Sequence, residues 1–261
     1  MGIVNVTPDS FSDGGRYAEP AAALAHAKQL LADGADLLDL GAESTRPGSA
    51  PVAAEEQWRR LKPVIEGLRR ETPEACLSVD TSSAEVASHA LELGSEIVND
   101  VTGLGDPAMA RLVAKRGAGV VIMHMQGTPA TMQKDPRYAD VVAEVGAFLT
   151  ERRQYAREAG IADECLAVDP GVGFGKALEH SLGVLANLDR LETGGRPLVV
   201  GVSRKSFIGR VLDRPVDRRL EGGLAATGAI VLLGARVIRT HDVATTLPAV
   251  RMADALRAAR R

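Results

Sequence analysis

The chain has 261 residues, 45% hydrophobic and 25% charged, with a formal net charge of -3. This is ordinary globular composition with ample length to bury a core. So small a charge excludes a partner chosen by bulk electrostatics, and neither nucleic acid nor an anionic membrane is expected.

In chain order, short apolar runs alternate with segments of helical spacing. "GIVNV" (2–6) reads as a strand, and "AEPAAALAHAKQLLADG" carries Ala and Leu at three- and four-residue intervals with Gly34 as a stop. Further strands are expected at 36–41, 76–80, 96–100, 119–124, 165–169, 197–203 and 236–242. Helices are expected at about 53–70, 83–93, 107–116, 140–159, 178–191, 219–233 and 243–260. Eight strictly alternating units with continuous apolar strands imply a parallel sheet buried on both faces, most simply a (β/α)8 TIM barrel forming one α/β domain over 1–261. An open doubly wound sheet would want a Gly-rich dinucleotide turn after the first strand, and none is present. Met1 stands directly on the first strand, which suggests a trimmed start. Cys76 and Cys165 each open an apolar run; their number excludes a disulfide scaffold and suits the cytoplasm. No stretch reaches membrane-spanning length, and no signal peptide is seen.

The strand ends are chemically unusual. Asn5 ends the first strand, and Glu43, Ser44, Thr45 and Arg46 follow the second. Asp80, Asn99 with Asp100, His124 and Asp169 end the next four. Ser203-Arg204-Lys205 ends the seventh, Arg239 and His241 the eighth. C-terminal strand ends converge on one barrel mouth, where barrel enzymes keep their chemistry. Helix capping accounts for Asp100 and Asp106, but not for Lys205, Arg239 and His241. His26, His89 and His180 fall inside helices and form no zinc-type pair.

The motifs, taken singly, are weak. "DPGVGFGK" (169–176) resembles a phosphate loop but lacks the Walker spacing. "GVSRKS" (201–206) resembles a nucleophile elbow, but Lys205 replaces its second glycine. "MHMQGTPATMQKDPRY" (123–138) is a long connection of the kind that carries function. By chemistry the mouth divides in two. Asp80, Asn99 and Asp169 suit the donor-rich edge of a planar heterocycle such as an aminopyrimidinone. Arg46, Arg239 and His241 suit a phosphate or pyrophosphate. Asn5 offers an oxygen to Mg2+ shared with substrate phosphates.

"GIVNVTPDSFSDGG", "GAESTRPG", "SVDT", "IVND", "MHMQGTP", "DPGVGFGK", "GVSRKSFIG" and "RTHDV" occur in the order and spacing of the dihydropteroate synthase family, which the chain resembles over nearly its whole length. The resemblance implies a homodimeric (β/α)8 transferase of folate biosynthesis. That activity joins 6-hydroxymethyl-7,8-dihydropterin diphosphate to p-aminobenzoate with Mg2+, releasing pyrophosphate and 7,8-dihydropteroate. It implies that Asp80, Asn99, Asp169 and Lys205 contact the pterin, joined by Met123, Phe174 and Gly201. Asn5, Arg239 and His241 would meet the pyrophosphate and Mg2+; Phe11, Thr45, Arg46, Pro47 and Ser203 the p-aminobenzoate. Asp13 corresponds to an aspartate on a closing loop, and the ordinary form of the Phe11 and Pro47 loops implies sulfonamide sensitivity. The catalytic set so implied is Asp13, Arg46, Asp169, Lys205 and His241. The loop after the first strand would be a water-excluding lid hinged at Gly14-Gly15. A methyltetrahydrofolate-dependent methyltransferase barrel and a non-catalytic pterin-binding paralogue are the alternatives. The first leaves Arg46, Arg239 and His241 without a purpose; the second does not need the full set.

Overall fold

The computed structural model describes residues 1–7, 18–44, 49 and 51–259. Among the described residues eight strands alternate with helices: β1 (Gly2–Asn5), α1 (Ala18–Ala32), β2 (Leu37–Gly41), α2 (Ala54–Glu71), β3 (Cys76–Asp80), α3 (Ala84–Glu92), β4 (Ile97–Asp100) and α4 (Pro107–Arg116). There follow β5 (Gly119–Met123), α5 (Val141–Glu158), β6 (Leu166–Asp169), α6 (Leu178–Ala186), β7 (Val199–Gly201), α7 (Ser206–Leu212), α8 (Leu220–Leu232), β8 (Val237–Arg239) and α9 (Val243–Ala258). The expected alternation is present, with one addition. The short α7 follows β7 directly; its seven residues, interrupted by Gly209, are too few to show a helical period.

β1 to β6 pair in order, all parallel, and β7 pairs with β8. Two single parallel bridges, Gly2 to Thr240 and Val168 to Leu198, join these groups and close the cylinder. Each seam carries short backbone bonds: Ile3 N–H to the Thr240 carbonyl and Val168 N–H to the Pro197 carbonyl, both 3.0 Å.

Strand parity then sorts the side chains. Leu38, Leu40, Leu77, Val79, Val98, Val120, Ile122, Val168 and Val200 are buried against the helical layer, where Leu61, Leu68, Met109 and Leu149 meet them. Each such aliphatic side chain contributes roughly 1.5–3 kcal/mol on burial. The other face lines the barrel. At its lower end Met1, Val121 and Val199 form a separate apolar plug with Leu37, Ile97, Ala167 and Val237. Higher on that same face stand Asn5, Asp39, Ser78, Asp80, Asn99, Asp169 and Arg239. The parity that gives each strand an apolar back therefore turns its polar residues into one barrel. Among the described residues no helix is long and apolar enough to cross a membrane.

Candidate active site

Arg239 stands at the centre of the mouth. Its Nε donates to Asp39 at 2.6 Å and its Nη2 to Asp80 at 2.7 Å. Two carboxylates so close hold the guanidinium firmly protonated. Burial and the neighbouring carboxylates hold the Asp80 carboxyl above its usual range, against the pull of Arg239. The acidic and basic halves expected at the mouth are thus interlocked rather than separate.

Asp39 is absent from the residues expected at the strand ends, because it lies inside β2 with Leu38 and Leu40 on either side. It is fully buried. Besides Arg239 it accepts from Ser78 Oγ at 2.6 Å and from Asn99 Nδ2 at 3.0 Å, so donors from β3, β4 and β8 meet on one carboxylate. The available sequence signal is one acidic residue at the inward parity of an otherwise apolar strand, since a buried charge demands partners.

Opposite lies the 170–177 loop. Asp169 ends β6 and accepts from Gly171 N–H at 2.7 Å; burial pushes its carboxyl up, with Lys205 pulling the other way. The five carbonyls from Gly171 to Gly175 are each met by a side chain. Lys176 donates to Gly171 and Phe174, Lys205 to Val172, Gln133 to Gly173 and Tyr138 to Gly175. Gln133 and Tyr138 come from the long connection after β5, so that connection braces the loop from outside. Gly171 has φ of +63°, and a Cβ there would stand 1.8 Å from the His124 carbonyl oxygen. Only glycine fits that approach.

Lys205 reaches the mouth because Arg204 turns the chain in the left-handed conformation, φ 59°. An ion pair from Arg204 to Asp242, 2.6 Å, stabilises that turn. The Lys205 ammonium lies 5.0 Å from the centre of the Phe174 ring. Burial pushes it down to about 8. Gly201, without a side chain, leaves room between Arg239 and Lys205. Met123 is buried beside Gly171. Ser203 Oγ is 3.0 Å from His241 Nδ1 and accepts the His241 N–H at 3.3 Å. A cavity of about 350 Å³ opens beside them, lined in part by Arg204, Arg219, Arg239 and Asp242. Asn5, half-buried at the end of β1, completes the described set.

Phe11, Asp13, the Gly14-Gly15 hinge, Thr45, Arg46 and Pro47 lie outside the described residues. Other expectations divide simply. Asp106 caps α4 through Ala108 N–H, and Asp100 binds the Thr102 and Leu104 amides, so both serve the backbone. His89 stacks on Trp58 with ring centres 5.1 Å apart, a packing role. Both cysteines are free.

Among the described residues no hydrolase triad is assembled: the Ser203–His241 pair comes from two strand ends, and Asp242 is engaged by Arg204. What the mouth offers is a rigid acidic and amide edge, a loop wall braced by two lysines and a clamped guanidinium. That arrangement can orient a flat polar ring and place positive charge beside it.

Comparison with known proteins agrees. The family described as "Pterin binding enzyme" matches residues 1–241. The chain is 45% identical over 255 residues to the dihydropteroate synthase of Escherichia coli K12, covering 98% of this chain and 90% of that protein. Among solved structures, Xanthomonas albilineans dihydropteroate synthase with 4-aminobenzoic acid superposes with a TM-score of 0.92 at 46% identity, covering 99% of this chain and 92% of that one. The Yersinia pestis dihydropteroate synthase, solved with a sulfonamide drug complex, gives 0.93 at 42% identity, covering 100% and 94%.

Proposed function

The chain belongs to the pterin-binding enzymes, and within them to the dihydropteroate synthase family; from that premise we propose that it is a transferase joining 6-hydroxymethyl-7,8-dihydropterin diphosphate to p-aminobenzoate in folate biosynthesis. The observation that carries this reading is the single mouth on which Asp80, Asn99, Asp169 and Lys205 converge with Arg239, Ser203 and His241. A cationic group already paired beside the ring-gripping acids suits a substrate carrying both a pterin and a diphosphate.

In this reading Asn99, Asp80 and Asp169 take the donor edge of the pterin, and the Lys205 ammonium takes its carbonyl. Met123 and Phe174 wall the ring, with Gly201 giving it room. Arg239 and His241 meet the diphosphate as the methylene C–O bond breaks and its electron pair leaves with pyrophosphate. The amine nitrogen of p-aminobenzoate then forms the C–N bond and gives up a proton. An arylamine is nucleophilic already, so positioning and water exclusion are the tasks that remain. Asp169 sits where it can offset positive charge on the methylene carbon. Ser203 faces the p-aminobenzoate side, to which Phe11, Thr45, Arg46 and Pro47 are also assigned, with Asp13 on the closing loop.

Asn5 fits Mg2+ only as one oxygen among several. Among the described residues no group of three or more His, Cys, Asp or Glu could hold a metal. That suits an ion that keeps waters and takes substrate phosphate oxygens. When bound, Mg2+ would supply neutralisation of the leaving diphosphate. A homodimer also belongs to this reading. Val211 and Leu212 at the end of α7 and Val216 in the connection to α8 are 53%, 48% and 55% exposed, an apolar surface suited to a second copy.

The direct test mixes pterin diphosphate, p-aminobenzoate and Mg2+ and follows pyrophosphate. Release should require both substrates, stop on chelation and be competed by a sulfonamide. No release overturns the assignment; a methyltransferase-like barrel or a binding-only paralogue gives that result.

A pH limb is also expected. A carbonyl bound to the Lys205 ammonium favours its charged form, so the Lys205 contribution to affinity is present below pH 8 and is lost as pH rises through that value. Lys205→Arg, always cationic, should remove this limb. An unchanged limb in that variant would take Lys205 out of the pterin contact.

A further inference from the structure

One buried cation that the mechanism leaves unused lies beside the site. Lys176 is only 3% exposed, and among the described residues no carboxylate oxygen is within bonding distance of its ammonium. Its three N–H groups instead have three acceptors: His124 Nδ1 at 2.8 Å, and the carbonyls of Gly171 and Phe174, both at 3.1 Å. An ammonium has three donors and no acceptor, so this set satisfies it completely. It also fixes the histidine. With Lys176 as the ammonium, Nδ1 accepts, which puts the ring proton on Nε2 and keeps the imidazole neutral. Burial and the Lys176 charge agree, pushing His124 down to about 3.

Three links run from this cation to the mouth. Gly171, whose carbonyl Lys176 holds, donates its N–H to the Asp169 carboxylate. Phe174, whose carbonyl it also holds, places its ring against Lys205. His124 donates its backbone N–H to the Asp169 carbonyl at 3.0 Å, tying the end of β5 to the end of β6. The contact with His124 is what crosses between these two segments, and Phe148 packs edge-on against the imidazole with ring centres 4.9 Å apart.

We propose that Lys176 is a positioning residue for the pterin subsite, acting with His124 as a hydrogen-bonded brace that sets Asp169 and Phe174 without touching substrate. The inference rests on the transferase reading above. A cation is used because carbonyls that face inward need a donor with several protons, and burial makes a missing one costly. Asp169 is near enough to supply favourable charge, which offsets part of the desolvation that lowers Lys176 to about 7.

The test is steady-state kinetics on Lys176→Met, His124→Phe and His124→Asn beside the wild type. An asparagine oxygen stands close to where Nδ1 was and can still accept; phenylalanine cannot. The KM for pterin diphosphate should rise at least about tenfold in Lys176→Met and in His124→Phe, since misplacement of about 1 Å is expensive in such sites. The KM for p-aminobenzoate should stay within about twofold, and His124→Asn should recover most of the loss. A role confined to folding would lower the yield of active enzyme and leave both KM values in place, which overturns the proposal. So does an equal rise in both KM values, or a His124→Asn variant no better than His124→Phe. If Lys176→Met does not fold, the two His124 variants decide it. Wild-type enzyme that releases no pyrophosphate overturns the functional reading and this inference together; active wild type with unmoved variants overturns only the inference.

Discussion

Asp39→Asn should cost about 2–3 kcal/mol of stability and at least about 100-fold in kcat/KM. The substitution keeps shape and removes charge. The new amide can turn its NH2 toward Ser78, whose hydroxyl rotates to accept, and keep its oxygen toward Asn99 and Arg239. What is then lost is the negative charge opposite Arg239. Removing one partner of a buried ion pair is costly because the other charge is left behind. The cost stays at or below the roughly 3–5 kcal/mol of a fully buried pair, since the Arg239 side chain is 22% exposed and Asp80 remains beside it. For a chain of this size that is a fall of roughly 5–10 °C in Tm. The activity loss follows from Arg239 and Asn99 losing a shared anchor. Thermal unfolding and turnover together check this. A variant with wild-type Tm and kcat/KM would show that Arg239 needs only Asp80.

Gly171→Ala should be nearly as damaging, by a different route. A side chain at φ +63° carries a backbone penalty of roughly 1–2 kcal/mol. The larger problem is the 1.8 Å approach of the new Cβ to the His124 carbonyl oxygen. A backbone atom cannot rotate away, so the loop must move. Three links then fail together: the N–H to Asp169, the carbonyl held by Lys176 and the packing beside Met123. Pterin diphosphate binding, measured by calorimetry, should weaken at least about 100-fold. Binding within threefold of wild type would mean that the loop tolerates displacement and that its bracing has no bearing on the site.

These two residues mark where the sequence was legible and where it was not. The eight strands could be read because each is a short apolar run closed by a polar residue, and the barrel follows from their number and alternation. The strand-end residues Asp80, Asn99, Asp169 and Arg239 could be read for the same reason. Asp39 could not, because a polar residue in mid-strand is recognised only once parity is known, and parity needs the register of β2 against β3. Lys176 reads as the last residue of a glycine-rich turn; its acceptors come from its own loop and from a residue 52 positions away. The pairing of Arg239 with Asp39 spans 200 positions and has no local signature at all. The short α7 was hidden by length rather than by chemistry.

The two seams of the cylinder have a consequence for how the protein breathes. Strands β1 to β6 form one continuous ladder and β7–β8 another; Ile3, Thr240 and the Met1 amino group bond across the β8–β1 seam, and Val168 N–H bonds to Pro197 across the β6–β7 seam. Asn5, Asp80, Asn99 and Asp169 ride on the first body; Ser203, Lys205, Arg239 and His241 ride with the second. A fluctuation confined to the β6–β7 seam, which has fewer backbone bonds than the β8–β1 seam, would move Lys205 away from Asp169 while leaving the arginine with its two aspartates.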